Sequence, residues 1–286
     1  MLLKPKITAF IVPIIFMMLF SSLSAQLSNG TLTTQEYFDL VISNLGNEAS
    51  EVVDTVSPEL NVVLPLEVFI VKDENGELNF DSEMLNANLD FVNGYFENIG
   101  LTFITGTVTE VPEYAYGTIN DMEETTELET KYAKQDKINL FLVEEINLNN
   151  IPCYGYTFYP ADTLRNVLFI RKDHVYGNCL STLLGNYFGL LHTYDTIGEI
   201  EYVDGTNCNS SGDVICDTYA DPGGLYDLVN GKCQYQGIQV DPNGEFYIPS
   251  VANIMSDSPD PCKCIFTMEQ YRRMKYYCKH YRHYLR

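Results

Sequence analysis

Positive charge is scarce in this chain. Its 286 residues hold 17 Lys and Arg against 39 Asp and Glu, a formal net charge of −22. A protein this acidic does not hold a phosphate backbone by bulk charge, so nucleic acid is excluded as a partner, and anionic membrane surfaces with it. Histidine is rarer still, with only His174, His192, His280 and His283. No GxSxG elbow and no phosphate loop is present. No paired C-x-x-C spacing suggests a structural zinc knuckle, and Cys262-x-Cys264 is too tight for one. No later segment is long and apolar enough to span a bilayer. With 45% hydrophobic residues, 12 Pro and 19 Gly, the composition is that of a globular protein rather than a disordered or fibrous one.

The chain does carry a targeting pattern at its start. Lys4 and Lys6 precede a mostly apolar run from Ile7 to Phe20, followed by Ser21, Ser22, Ser24 and Ala25. This reads as a secretory signal over residues 1–25, cleaved after Ala25. The run contains Pro13 and falls short of the roughly 20 apolar residues a span needs. The expected location is therefore outside the cell or in the periplasm or envelope. Export changes the reading of the eight cysteines, Cys153, Cys179, Cys208, Cys216, Cys233, Cys262, Cys264 and Cys278. Their even number and their confinement to the second half predict disulfides throughout, with the connectivity open.

Periodicity outlines the body. Residues 26–60 read as an N-terminal extension with a short helix over Thr34 to Leu45. Strands are predicted over 61–71, from Leu101, over Ile138–Val143 and over Asn166–Arg171. Pro65 marks the first half of the first strand as an edge or an irregularity. Helices are predicted over 82–98, closed by Gly100, and from Cys179 to Phe188, capped by Asn178 and closed by Gly189. The acidic run Asp121 to Glu129 reads as a solvated helix face. Beyond His192 the chain turns rich in Gly, Asp, Asn and Cys. A last helix starts at Thr267, with Gln270 completing a capping box.

Three segments then occur in order: STLLGNYFGLLHTYD (Ser181–Asp195), GDVICDTYADP (Gly212–Pro222) and NIMSDSPDPCKCIFTMEQYRRM (Asn253–Met274). Together they resemble the pappalysin-like metallopeptidases of the metzincin clan, over about residues 60–286. The resemblance implies a mixed α+β metzincin-like catalytic domain: a twisted mixed sheet with two long helices, then an irregular disulfide-rich part with a C-terminal helix. It divides the chain into an upper subdomain at 61–192 and a lower one at 193–286.

In that family the first segment reads HExxHxxGxxH. Two His one helical turn apart and a third after a Gly-closed turn hold zinc, and the Glu is the general base. Here Gly189 and His192 match. Thr182 and Asn186 stand at the other two ligand positions, and Leu183 stands at the base. In the third segment Met255 matches the Met-turn methionine and Phe266 is retained, but Asp257 occupies the place of an oxyanion-stabilising Tyr. The resemblance thus implies the scaffold without the chemistry: no tightly bound zinc, no catalytic residue, and a binding role for a peptide or protein along the former cleft. An edge strand at Asn166–Arg171 would pair with such a chain.

Two rivals stand beside this reading. One is an active zinc endopeptidase with displaced ligands, for which His174, His192 and Asp195 are the available set. The other is a structural envelope protein. The family often binds calcium in its lower half, which makes Asp213, Asp217 and Asp221 candidate ligands, although turn capping explains them equally well.

Overall fold

The computed structural model describes residues 34–53, 60–148, 150–160, 165–195 and 198–285; the segment read as a signal lies outside them. In chain order the elements are α1 (Thr34–Glu48), β1 (Val62–Val71), α2 (Ser82–Phe96), β2 (Leu101–Val111), β3 (Thr118–Ile119), α3 (Met122–Tyr132), β4 (Ile138–Val143), β5 (Glu145–Leu148), β6 (Ile151–Pro152), β7 (Gly155–Thr157), β8 (Val167–Arg171), α4 (Cys179–Tyr187), α5 (Leu225–Leu228) and α6 (Met268–His280).

The main sheet runs β2-β1-β4-β8-β7. Its first four strands are parallel, and β7 closes one side antiparallel to β8. A small second sheet, β3-β5-β6, lies apart from it. The parallel strands are near-continuous apolar runs because both faces are covered; all six residues of β4 are buried. Pro65 sits where β1 pairs with β2 alone, since pairing with β4 begins only at Leu66. Its missing N–H therefore costs no ladder bond.

β8 is not an edge. It lies between β4 and β7, so the exposed antiparallel edge is the three-residue β7. The alternating pattern around Gly155 is too short to register as a strand in the sequence.

The largest apolar cluster joins the two halves of the chain. Leu85, Leu89 and Phe96 of α2, Leu180 and Leu184 of α4, Ile254, Met255 and Phe266, and Met274 of α6 share it. The segment read as an extension packs into the same body. Tyr37 and Val41 of α1 are fully buried. Glu48 pairs with Arg273 of α6 at 2.9 Å, both side chains buried. The Arg273 guanidinium also donates to the carbonyls of Asp213 and Val214, each at 2.6 Å. Val214 is held at φ +59°, a costly conformation for a β-branched residue.

At the other end of α6, Arg282 is fully buried. It lies 3.9 Å over the Tyr187 ring and donates to Asn166 Oδ1 and to the carbonyls of Arg165, Phe158 and Tyr187. Among the described residues, no helix is long and apolar enough to cross a membrane.

Two disulfides form, Cys208–Cys216 and Cys233–Cys262. This corrects the expectation of full oxidation. Cys153, Cys179, Cys264 and Cys278 belong to neither bridge. Cys278 sits in the main cluster on α6 and Cys264 is exposed. Burial pushes the Cys153 thiol up to about 11 and the Cys179 thiol to about 12.

Candidate functional site

α4 carries Thr182, Leu183 and Asn186 and lies under the edge strand. Asn178 does not cap it. Its amide donates instead to the carbonyls of Asp260 and Lys263, and the Asp260 carboxylate accepts the Asn178 N–H. The C-terminus follows the motif closely. Gly189, at φ +98°, donates to Asn186 O, and Leu190 donates to Gly185 O, which is a complete Schellman turn. No side chain fits at Gly189, because a Cβ there would lie 2.7 Å from the Tyr277 ring and 2.8 Å from Tyr37 Oη. The turn is thus fixed by α6 on one side and α1 on the other.

The i, i+4 pair Thr182 and Asn186 shares one face of α4. Neither side chain is an imidazole, thiolate or carboxylate, and each is engaged as a donor within the fold. Thr182 Oγ1 donates to Ile254 O at 3.0 Å, and Asn186 Nδ2 donates to Leu190 O at 2.8 Å. Leu183 is 6% exposed and belongs to the main cluster. Its Cδ1 lies 2.8 Å from the point a Cβ on Gly155 would occupy, so it fills the space beneath β7. The base position is thus part of the packing between helix and edge strand.

His192 emerges from the turn half-buried. Its N–H donates to Asp195 Oδ2 at 2.8 Å, and its ring stacks on Tyr194. Nδ1 lies 3.3 Å from Met255 O. A carbonyl only accepts, so Nδ1 carries the proton and Nε2 keeps its lone pair. Burial lowers the His192 pKa, partly opposed by the Asp195 carboxylate, and the imidazole is neutral near pH 7. Met255 lies beneath the helix, its sulfur 2.6 Å from where a Cβ on Gly185 would stand. Met255 O also accepts the Thr193 N–H at 3.2 Å.

Asp257 is taken up by the start of α5. Its two oxygens accept the N–H groups of Gly224 and Leu225, at 2.7 and 3.0 Å, and cap the short α5. The displaced set does not assemble. His174 stacks on Tyr154 at 3.9 Å and pairs with Asp173. Asp195 is engaged by the His192 backbone, as a turn former is. His280 is the last residue of α6 and His283 lies just beyond it; His280 packs on Tyr276. Among the described residues, no group of three or more His, Cys, Asp and Glu is placed to hold a metal ion.

The three acids of the second segment do not converge. Asp217 accepts the Glu269 N–H at the start of α6. Asp213 is fully buried and bonds Ile215 N and Thr218 Oγ1, while its Oδ2 has no hydrogen-bond partner. Asp221 bonds Gly223 N and Thr193 Oγ1. Near them lies Glu201, 6% exposed, whose Oε2 is also without a partner. Burial pushes Asp213 and Asp221 up to about 7, and burial with the two neighbouring carboxylates pushes Glu201 up to about 8. Sequence reading missed Glu201, since one acid in a polar stretch carries no local signal. It missed Lys263 for the same reason. That lysine is 11% exposed, paired with Asp260 at 3.8 Å, and burial lowers its pKa.

A mixed sheet with one antiparallel edge, a helix beneath that edge closed by a glycine turn, and a methionine turn under the helix define a metzincin-like catalytic-domain fold. The solved structures agree. The chain is similar to a point mutant of promirolysin from Tannerella forsythia, with 16% identity, 86% of this chain and 90% of that chain covered, and a TM-score of 0.56. It is also similar to mirolysin in complex with compound 9, with 17% identity, 76% and 91% covered, and a TM-score of 0.52. No family model and no curated protein matches the sequence.

Proposed function

We propose that this chain is an exported, pappalysin-like pseudo-peptidase that binds a peptide or protein segment along the former cleft without hydrolysing it. The observation that supports this most is the use made of the three altered motif positions. Thr182, Leu183 and Asn186 are each spent on an internal contact, with Ile254 O, with the space under Gly155 and with Leu190 O. One imidazole with a neutral hydroxyl and a neutral amide does not fit zinc, which takes three or four ligands drawn from imidazole, thiolate and carboxylate. Without the metal there is no activated water, and Leu183 takes no proton. The short β7 edge keeps strand addition available as a binding mode, specified by backbone hydrogen bonds. The signal pattern and the two disulfides support export.

The test is elemental analysis of the purified mature protein together with mass spectrometry of any co-purified peptide. Substoichiometric zinc and a bound peptide support the reading. One tightly held zinc per chain, with cleavage of a casein substrate, returns the displaced-ligand peptidase. Absence of both metal and peptide favours the structural envelope protein.

A further inference from the structure

In the lower half one ribbon wears its apolar side outward. Val240 pairs antiparallel with Phe246. The Asp241 N–H donates to Glu245 O at 2.9 Å and the Tyr247 N–H to Gln239 O at 3.1 Å, which closes a hairpin over residues 238–248. Side chains alternate between its two faces. The inner face is largely polar. Asp241 accepts the N–H groups of Val203, Asn243 and Glu245 at 3.0, 2.8 and 2.9 Å, and the buried Tyr247 donates its hydroxyl to Glu201 O at 3.4 Å. The outer face holds Ile238, Val240, Phe246 and Ile248, exposed to 83%, 48%, 62% and 71%. A slip of one residue would turn these four inward. It would also pull the Asp241 carboxylate off its three donors, so the register holds the apolar face in solvent.

We propose that this outer face joins two copies of the chain in a two-fold dimer, with Ile238, Val240, Phe246 and Ile248 of one copy packed on the same residues of the other. Single exposed apolar residues need no explanation, but four neighbours on one face do. Tyr219, 64% exposed, lines a hollow together with Ile248 and extends the patch. The five side chains present roughly 650 Å², close to the roughly 800 Å² that each partner of a standard interface buries. The hollow holds about 480 Å³ and is walled also by Val203, Ala220 and Pro249. Phe246 projects two residues before Ile248, so one patch carries both a knob and a hole. A two-fold contact requires that of a single surface.

Charge favours a second copy over other occupants. Residues 234–256 hold only two charged side chains, Asp241 and Glu245, both at the turn. Asp241 is buried on the inner face, which leaves the outer one almost free of acid. Two copies of a chain with net charge −22 repel one another, and their approach is least opposed where each is uncharged. A basic partner finds no carboxylate among the four outer residues. A lipid surface would meet the polar turn at Asn243 and Glu245, with no Lys or Arg between residues 234 and 256 to hold headgroups. None of these residues belongs to the motif on α4, so the dimer does not rest on the pseudo-peptidase reading.

The experiment is sedimentation-velocity ultracentrifugation of the mature protein from about 1 to about 100 µM, beside three variants. The parent should form a concentration-dependent dimer of twice the chain mass. Ile238→Glu puts a carboxylate on both sides of the two-fold axis and should weaken dimerisation at least about a hundredfold. Phe246→Ser removes the largest apolar side chain of the hairpin face and should weaken it at least about tenfold. It keeps the proposal testable if the first variant fails to fold. Ile104→Glu, at an exposed apolar position on the outer strand β2, should leave dimerisation unchanged. A parent that stays monomeric throughout overturns the proposal. So does a dimer that survives both hairpin variants, or one that Ile104→Glu abolishes. A monomeric parent that binds phosphatidylcholine vesicles, and loses that binding in the hairpin variants, overturns it in favour of a lipid surface.

Discussion

The base position of the motif gives the sharpest test of what the cleft has become. If Leu183 is a packing residue, Leu183→Ala must behave as a core truncation. The side chain is 6% exposed and fills the gap between α4 and the backbone of Gly155. Gly155 has no side chain to move in, and the pairing of β7 with β8 holds its backbone in place. A cavity would therefore persist, and the loss belongs in the middle or upper part of the 2–5 kcal/mol range for Leu→Ala, about 3–4 kcal/mol. Leu183→Met keeps the volume and should cost less than about 1.5 kcal/mol. Leu183→Glu, the change that rebuilds a general base on paper, should cost more than the alanine, because it adds an unpartnered carboxyl to the lost apolar burial. Urea unfolding at pH 7 measures all three, provided the slopes with denaturant stay the same. A loss under about 1 kcal/mol for Leu183→Ala would show that the side chain faces an open cleft, and the argument that the site has been absorbed into the core would fail.

Restoring the ligands is the complementary perturbation. Thr182→His with Asn186→His should give zinc binding with His192, whose Nε2 is already left open by the Nδ1 contact to Met255 O. Zinc titration against the parent checks it, and equal affinities would refute the placement of these positions. The double variant should lose about 1–3 kcal/mol without metal, because the Ile254 and Leu190 carbonyls lose their donors. The buried acids predict an inverted pH dependence for the lower half. Glu201, Asp213 and Asp221 are raised to about 8, 7 and 7, above ordinary carboxyl values. The folded state therefore holds more protons than the unfolded one between about pH 4 and 8, so these groups make stability fall as pH rises through that window and level off above it. Glu201→Gln should then raise the melting temperature more at pH 8 than at pH 5; an equal change at both would contradict the raised pKa. Thiol titration of the unfolded, unreduced protein should find four thiols, and in the native protein the exposed Cys264 should react first.

The pattern of the fold was legible where one face or one run decides the structure. β4 matches its predicted span because a short run of five apolar residues, broken only by Asn139 and buried throughout, reads as a strand covered on both faces. Gly100 and Gly189 end their helices as expected because both need φ above zero. Thr267 and Gln270 form the capping box that their spacing announces. What failed depended on long-range neighbours. Asn178 has the right chemistry for a cap but is captured by Asp260, 82 residues away. Asn166–Arg171 is a strand, yet three residues around Gly155 cover its outer side, and three residues carry no periodic signal. At the site, sequence located the helix, the turn, His192 and Met255. It could not show that Thr182 and Asn186 had taken backbone partners, that Asp257 caps α5, or that only four of the eight cysteines are bridged, because each depends on a partner distant in sequence.

The burial of Arg282 bears on how such a chain is made. Its guanidinium supplies donors to carbonyls of residues 158, 165 and 187, more than ninety positions earlier. Arg273, nine residues before it, does the same for Asp213 and Val214 and binds Glu48 near the other end. A ribosome extends the polypeptide in one direction, so these carbonyls are made long before their donors. Until position 282 has emerged, the main sheet can form only with buried acceptors left open. Completion of the native state is thereby delayed to the end of synthesis.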